Sequence, residues 1–454
     1  MIEFAIALAC AGCLAAAETF LVGVQAWEHR RFAASRLRSS PKAQMQAAGR
    51  AMVIIPCRGI EPNLKDNLER FFRQDYGNYD LRFVVESHDD PAAEVIQQLI
   101  EEYPNVPAEL VTAGLANGEA QKIHNLRVAT EKIPPEVEYL VFADSDAAPS
   151  EHWLTAMLMR LGDPKVSAVT GYRWFIPKTG AFHEAVVCAL NGAYAMLMSR
   201  NTPNLVWGGS WAIRKEVFEE LDIRGAWRGR ICDDLVAADR LLKCGRHVEY
   251  EPACLVATSC QPDLKAVFEF ASRQFFLLRR VLPLWWFTDL VVGYLGTVVF
   301  WLAIVTLIMV PDTLVRWTSA IVAAVSYALH WARAELRVAA VRTYFPRLAG
   351  EASFRRVFWY DRVLSPAIQF IGLLANLNGG LRRQIIWRGI IYRMGKKAQI
   401  EIVRPSNGSS AYSEINGGGP SAAAAPILGG PEDTKCQEAP EMRRPEKKVH
   451  PVAA

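Results

Sequence analysis

The order of apolar and polar residues divides the chain into a membrane-like start, an α/β middle, and an end of mixed apolar and basic segments. Residues 3–27 are almost continuously apolar, interrupted by Glu18, Thr19 and a few small side chains. A run of that length can cross a bilayer. A cleaved signal peptide is the competing reading, but the run lacks a leading positive charge and continues well past Ala15–Ala17. Arg30, Arg31, Arg36, Arg38 and Lys42 follow at once. Positive residues flanking a span place what comes next on the cytoplasmic side.

From Ala51 to about Cys260, runs of strand formers alternate with helical periodicity. "AMVIIP", "LRFVVES", "VEYLVFAD" and "VSAVTGY" read as buried strands, and "NLKDNLERFFRQ" and "AAEVIQQLIEEY" as helices. Strand, helix, strand at this spacing predicts an α/β unit with a mostly parallel sheet covered on both faces. Ligands of such sheets bind beyond the carboxyl ends of the strands. Leu264–Trp286 mixes apolar and basic residues at helical spacing, which fits a helix lying in the membrane interface. Apolar segments follow at about 287–310, 316–333 and 363–378, and beyond about Pro405 the composition predicts disorder. The expected divisions are a transmembrane helix 1–27, a basic linker 28–50, a catalytic unit 51–262 and an amphipathic region 263–286. Membrane segments with a basic cytoplasmic end, 287–400, and a disordered tail, 401–454, complete them.

Composition agrees. The chain has 454 residues, more than one ordinary core accommodates, and 51% of them are hydrophobic. Net charge is only +4, yet positive residues concentrate in "EHRRFAASRLR" and "LRRQIIWRGIIYRMGKK". Beside apolar segments, such blocks suit an anionic lipid bilayer, not nucleic acid. Among nine cysteines the single C-x-x-C, Cys10 to Cys13, lies inside an apolar run with no second pair, so helix packing explains it better than zinc. Nothing calls for disulfides. Three full crossings after the α/β unit would put the last basic block outside, against the positive-inside rule. The 363–378 segment, with Pro366, Gln369 and Asn376, is therefore expected to be re-entrant or interfacial.

Candidate chemistry collects at strand ends. In "YLVFADSDAAPS", Asp144 and Asp146 share one face of an extended segment, where two like charges need a cation or a proton between them. An Asp-rich turn is the alternative. "IIPCRGIEPNL" offers Pro56, Arg58 and Gly59 at a tight exit, with Asn63 placed to cap the next helix. Glu86, Asp89 and Asp90 in "ESHDDPA" can accept from a base or ribose, or simply cap a helix. "AQKIHNL" supplies Lys122 and Asn125, and "VWGGSWAIRKEVF" places Gly208 and Gly209 where a sugar or acceptor could approach the backbone. Asp233 and Asp234 in "RGRICDDLVAADRLLKCG" open a helix, as ordinary caps or with one acting as general base.

In this order the motifs resemble family 2 of the glycosyltransferases. "CRGIEPNLKDNLERFFRQDY", "ESHDDPA", "QKIHNL", "GGSWAIRKEVF" and "WRGIIYR" look like the ceramide glucosyltransferase group, over about residues 4–395. The resemblance implies a GT-A fold (Rossmann-like, with membrane helices before and after), a UDP-sugar donor, Mg2+ or Mn2+, and an inverting displacement. It implies that Glu86, Asp89 and Asp90 contact uridine and that Asp144 and Asp146 serve metal and diphosphate. Asp234, with Asp233 before it, takes the place of the base. Much of the family carries Q/R-x-x-R-W after that base. Here Arg273 holds the first position, but Phe276 and Leu277 replace Arg and Trp. Arg279 and Arg280 either supply the missing cation or face lipid headgroups.

The expected function is transfer of one sugar, glucose first, to the hydroxyl of a membrane lipid acceptor such as ceramide. The expected location is the cytoplasmic face of a bacterial inner membrane or its equivalent. The alternatives are transfer of N-acetylglucosamine to a hopanoid or other lipid, and a non-catalytic membrane protein that binds a sugar nucleotide.

Overall fold

The computed structural model describes residues 1–38, 49–61, 63–200, 203–260, 263–395 and 400–403. The expected tail, apart from 401–403, lies outside the described residues, as do residues 39–48 of the expected linker. Helix α1 (Ile2–Arg38) joins the apolar run and the first basic residues without a break.

The α/β unit runs β1 (Arg50–Pro56), α2 (Leu64–Phe72), β2 (Tyr79–Val85), α3 (Pro91–Glu102), β3 (Ala108–Thr112), α4 (Gln121–Ala129) and β4 (Val137–Ala143). It continues with α5 (Trp153–Leu161), β5 (Ala168–Thr170), β6 (Arg173–Ile176), α6 (Phe182–Ala195) and β7 (Ser210–Arg214). Then come α7 (Lys215–Glu220), α8 (Ile223–Ala226), α9 (Asp234–Lys243), β8 (Val248–Tyr250) and β9 (Val256–Ser259). Seven strands form one sheet in the order β3-β2-β1-β4-β7-β5-β8. The first four are parallel, and β7 runs antiparallel between β4 and β5. The α/β expectation holds, with a mostly parallel sheet.

Alternation along β1 and β4 explains the two cores. Met52, Ile54, Leu140 and Phe142 face Trp211 and Trp227 on one side. Val53, Ile55 and Val141 face Phe71 and Trp153 on the other. Apolar residues on both faces are what a central, helix-covered strand requires. Asn63 stands at the start of α2 in a left-handed conformation, φ 63°, and its side chain makes no cap.

The expected interfacial helix is broken. α10 (Leu264–Val281) ends before α11 (Pro283–Thr288), because Pro283 cannot donate to the preceding turn. A short π-helical turn at Asp289–Gly293 leads into α12 (Leu295–Met309), then α13 (Thr313–Tyr344), α14 (Ala352–Val363) and α15 (Ser365–Leu381). Among the described residues, two stretches are long and apolar enough to cross a membrane, Ile2–Arg38 and Pro283–Met309. α1, α12 and α13 pack on one another through Leu8, Ala15, Val299, Ala303 and Val322. Thr306 and Ser319 hydroxyls, 2.7 Å apart, join α12 to α13.

Two connections tie this bundle to the α/β unit. At the end of α1, His29 bonds the Met198 carbonyl through Nδ1 (2.6 Å) and the Tyr344 hydroxyl through Nε2 (3.0 Å), while Arg36 pairs with Glu249 at 2.6 Å. The basic block near the end forms the second. β10 (Gln384–Trp387), β11 (Ile390–Met394) and β12 (Ile400–Val403) make a small antiparallel sheet. Its Ile385, Ile390, Tyr392 and Ile400 sit in the same core as Met52 and Ile54. The block therefore lies against the α/β unit.

Candidate active site

Strand direction assembles the site. β1, β2 and β4 end at one edge of the sheet, and antiparallel β7 begins there. Arg58, Glu86, Asp144, Asp146, Gly208 and Gly209 meet at that edge although the sequence scatters them over about 150 residues. Helix α4 brings Lys122 to the same place, and the start of α9 brings Asp233 and Asp234.

Lys122 is the hub. Its Nζ lies 2.8 Å from Asp144 Oδ1 and 3.0 Å from Asp233 Oδ1. Burial alone would strip its proton, but Asp144, Asp233 and Asp234 outweigh that and hold the ammonium charged beyond the ordinary lysine range. Burial likewise opposes the charge on Asp144, and Lys122 and Arg173 overcome it, so this carboxyl is held below its usual value. Asp233 differs. It is only 2% exposed, and burial with the like charges of Asp234 and Asp144 beats Lys122, pushing its pKa up to about 7. Although Asp233 stands at the N-cap position of α9, its side chain makes no cap bond. The capping explanation fails for that residue.

Asp234 is held from three sides. Oδ2 accepts from the Gly208 backbone N–H at 2.9 Å. Oδ1 accepts from Leu235 N–H and the Cys232 thiol, both at 2.7 Å. The two glycines matter for room inside this cluster. A Cβ at Gly208 would stand 2.8 Å from Asp233 Oδ2 and 3.0 Å from Lys122 Nζ, and one at Gly209 would stand 2.9 Å from Asp144 Oδ2.

The sequence reading missed Arg173. The first residue of β6, it lies 3.6 Å from Asp144 and 3.8 Å from Asp146, with its guanidinium over the rings of Trp207 (4.7 Å) and Phe270 (5.7 Å). Arg273 reaches the same region from α10. Burial, then the neighbouring Arg173, lowers it to about 10 against the pull of Asp146 and Glu269. Arg279 and Arg280 do not replace the family's missing cation. The first stacks on Trp286 (5.1 Å), and the second lies over Phe276 (5.1 Å) and donates to the Arg382 carbonyl at 3.1 Å. Phe276 itself is fully buried in the core.

A second group flanks the first. Arg58 pairs with Glu86, and its Nε donates to the carbonyl of Arg388 at 3.1 Å. Arg388 pairs with Glu61, which accepts from Ser145 Oγ at 2.9 Å, between the two DSD aspartates. Arg388 and Gly389 both have positive φ, 52° and 74°, as a two-residue hairpin turn between β10 and β11 demands. Neither Glu61 nor Arg388 was singled out from the sequence, because partners more than 300 residues apart leave no local pattern. Asp90 caps α3 through Ala92 N–H (2.9 Å) and also accepts from Gly59 N–H (2.8 Å), while Asp89 stays exposed. Asn125 has both ends of its amide engaged, with Gln121 Nε2 at 2.8 Å and the Val84 carbonyl at 3.5 Å. Pro56 ends β1, half-buried.

A divalent cation fits Asp144 and Asp146. Oδ1 of Asp146 is buried without a partner, and burial, opposed by Arg173, raises that carboxyl above its usual range. An orphaned carboxylate oxygen beside a second carboxylate is what a hard cation satisfies. Among the described residues no three His, Cys, Asp or Glu side chains are placed to hold a metal ion together. The other ligands to such an ion would be substrate oxygens and water.

The sequence model of Glycosyl transferase family 21 matches residues 11–400. Ceramide glucosyltransferase 1 of Caenorhabditis elegans is 32% identical over 122 residues, 27% of this chain and 25% of that protein. Ceramide glucosyltransferase 3 of the same organism is 40% identical over 77 residues, 17% of each chain. The ceramide glucosyltransferase of Gibberella zeae is 31% identical over 106 residues, covering 21% and 20%. The aligned segments thus span about a quarter or less of these relatives. Among solved structures, the mannosyltransferase PcManGT from Pyrobaculum calidifontis in complex with GDP-Man and Mn2+ overlays with a TM-score of 0.46 at 18% identity. That overlay covers 82% of this chain and 99% of the other.

Proposed function

This chain belongs to glycosyl transferase family 21, and we propose that it moves one glucosyl unit from UDP-glucose to the primary hydroxyl of ceramide or a closely related lipid, with inversion. The observation that carries the reading is the Lys122–Asp144–Asp233–Asp234 cluster at the ligand edge of the sheet, in a unit fastened to apolar helices. A soluble acceptor would need no such attachment. The chain sits in a membrane through its apolar helices, with the α/β unit on the cytoplasmic face.

In this mechanism Glu86 and Asp89, beside Arg58, receive the base and ribose. Arg173 and Arg273 face the diphosphate, where two guanidinium groups match phosphate oxygens in geometry and charge. Asp144 and Asp146 would hold Mg2+ or Mn2+, which neutralises charge on the leaving diphosphate. Asp234 takes the proton from the lipid hydroxyl as that oxygen attacks the anomeric carbon and the bond to UDP breaks. The bonds from Gly208, Leu235 and Cys232 keep the carboxylate aimed during the transfer. Lys122 neutralises Asp144 and Asp233 and so preserves the arrangement before substrate arrives.

The test is UDP release by detergent-purified protein with Mn2+ or Mg2+. UDP-glucose, UDP-galactose and UDP-N-acetylglucosamine are crossed with ceramide, diacylglycerol and a hopanoid. Release confined to UDP-glucose with ceramide is the expected result. Release with UDP-N-acetylglucosamine and the hopanoid would replace both substrates. Metal-dependent UDP binding without release in any combination would sink the transferase reading.

A further inference from the structure

A groove of about 680 Å³ runs between α1 and α13, away from the carboxylate cluster, where the apolar part of α1 gives way to charge. Its floor is formed by Ala328, Ala332, Leu336 and Ala339 of α13. Small side chains there leave a channel as smooth as an acyl chain needs. Arg30 of α1 and Arg342 near the end of α13 also line it, with Trp331 three turns before Arg342.

Charge in the groove is unbalanced. Arg30 Nε is buried without a hydrogen-bond partner. Neither Arg30 nor Arg342 has a carboxylate partner among the described ion pairs. The acidic lining residue, Glu335, is already taken by Arg362, whose Nε and Nη2 lie 2.5 and 2.9 Å from its two oxygens. Arg30 therefore faces the apolar channel with no anion, and Arg342 has near it only the Glu335 carboxylate that Arg362 already holds. Arg31, by contrast, pairs with Glu28 at 3.4 Å and stacks on Trp27 at 4.6 Å.

We infer that this groove binds an anionic phospholipid of the surrounding bilayer, its phosphate between Arg30 and Arg342 and one acyl chain along the alanine floor of α13. The depth is right, because the exposed Trp27, three residues before Arg30 on α1, marks the level at which tryptophan settles between lipid and water. Basic pockets between membrane helices on that side select charged headgroups. The site is distinct from the acceptor lipid of the reaction, and the inference does not depend on which acceptor is used.

The test is native mass spectrometry of the full chain, purified in detergent and incubated with equal amounts of dioleoyl phosphatidylglycerol and dioleoyl phosphatidylcholine. Wild type is expected to retain phosphatidylglycerol in about tenfold preference or more, at roughly one lipid charge neutralised by two arginines. R30Q/R342Q should bring the two lipids to parity, R30K/R342K should keep most of the preference, and R31Q should keep all of it. Arg342 is exposed, so R342Q alone serves if the double variant fails to fold, and it should lose about threefold. Equal retention of both lipids by wild type, or an undiminished preference in R342Q and R30Q/R342Q, would overturn the inference.

Discussion

The backbone N–H of Gly208 donates to Oδ2 of Asp234 at 2.9 Å, so the proposed base is aimed by a residue with no side chain. Asp234→Asn should lower kcat by about a thousandfold, in the range general bases supply. UDP affinity should change by less than about threefold, measured by calorimetry on the same preparation. Gly208→Ala should also lower kcat, because its Cβ would meet Asp233, Lys122 and Asp234 at once. Full activity in either variant would reassign the base.

Removing Lys122 leaves two buried carboxylates facing each other. Breaking a buried ion pair from one side costs about 3–5 kcal/mol. Lys122→Met should therefore lower the thermal unfolding midpoint in detergent by several degrees. Lys122→Met/Asp233→Asn should recover part of that loss, and the absence of recovery would argue that Lys122 acts elsewhere.

Asp233 gives the site a pH dependence of definite sign. Its folded pKa, about 7, lies above the unfolded value of an aspartate. The stability it contributes is thus fully present below about pH 4 and is lost as pH rises through 7. With EDTA present, the gap between wild type and Asp233→Asn should shift in favour of the variant between pH 5 and pH 8. A gap constant with pH would show that Asp233 is charged throughout.

Arg173 is expected to matter through shape as well as charge. Its planar guanidinium lies over Trp207 and Phe270 while reaching both DSD aspartates. A lysine keeps the charge and loses the stacking and the fork. Arg173→Lys should cost at least about tenfold in kcat/KM for the donor. Steady-state kinetics at saturating lipid would check this.

The small sheet fixes sidedness. Because Ile385 and Tyr392 share a core with Met52 and Ile54, residues 384–394 lie on the same side as the α/β unit, and the chain between 263 and 384 crosses an even number of times. Pro283–Met309 is long and apolar enough for one crossing and α13 packs along it, so if α13 returns as the second, α15 stays on the side of the α/β unit, as the sequence led us to expect. A cysteine introduced at exposed Gln384 should be labelled by an impermeant maleimide only when the α/β unit is accessible too.

The parts of this structure legible in the sequence are those with local cause. Strands β1, β2 and β4 show as apolar runs, the break after the DSD shows as a turn, and α2 and α3 show as periodic helices. Asp144, Lys122 and Asp234 were singled out because carboxylates and cations at strand and helix ends are conspicuous. What stayed hidden depends on pairing at a distance. Nothing in "GYRWF" marks Arg173 as the partner of residues some thirty positions earlier, and nothing in "IEPNL" marks Glu61 as the partner of Arg388. The two glycines stood out as places for a sugar or acceptor to approach, and only the structure shows that a Cβ at Gly208 would meet Asp233, Lys122 and Asp234, and one at Gly209 the Trp207 ring and Asp144.

The link between Arg388 and Glu61 also bears on how the molecule is made. When residue 380 has left the ribosome, every carboxylate of the cluster already exists, but the wall behind Glu61 and Arg58 does not. That wall arrives only after α12, α13 and α15 have been delivered, because it is attached to the end of α15. The contacts that hold Glu61 and Arg58 are thereby among the last to form, after every helix between α9 and β10 has been made.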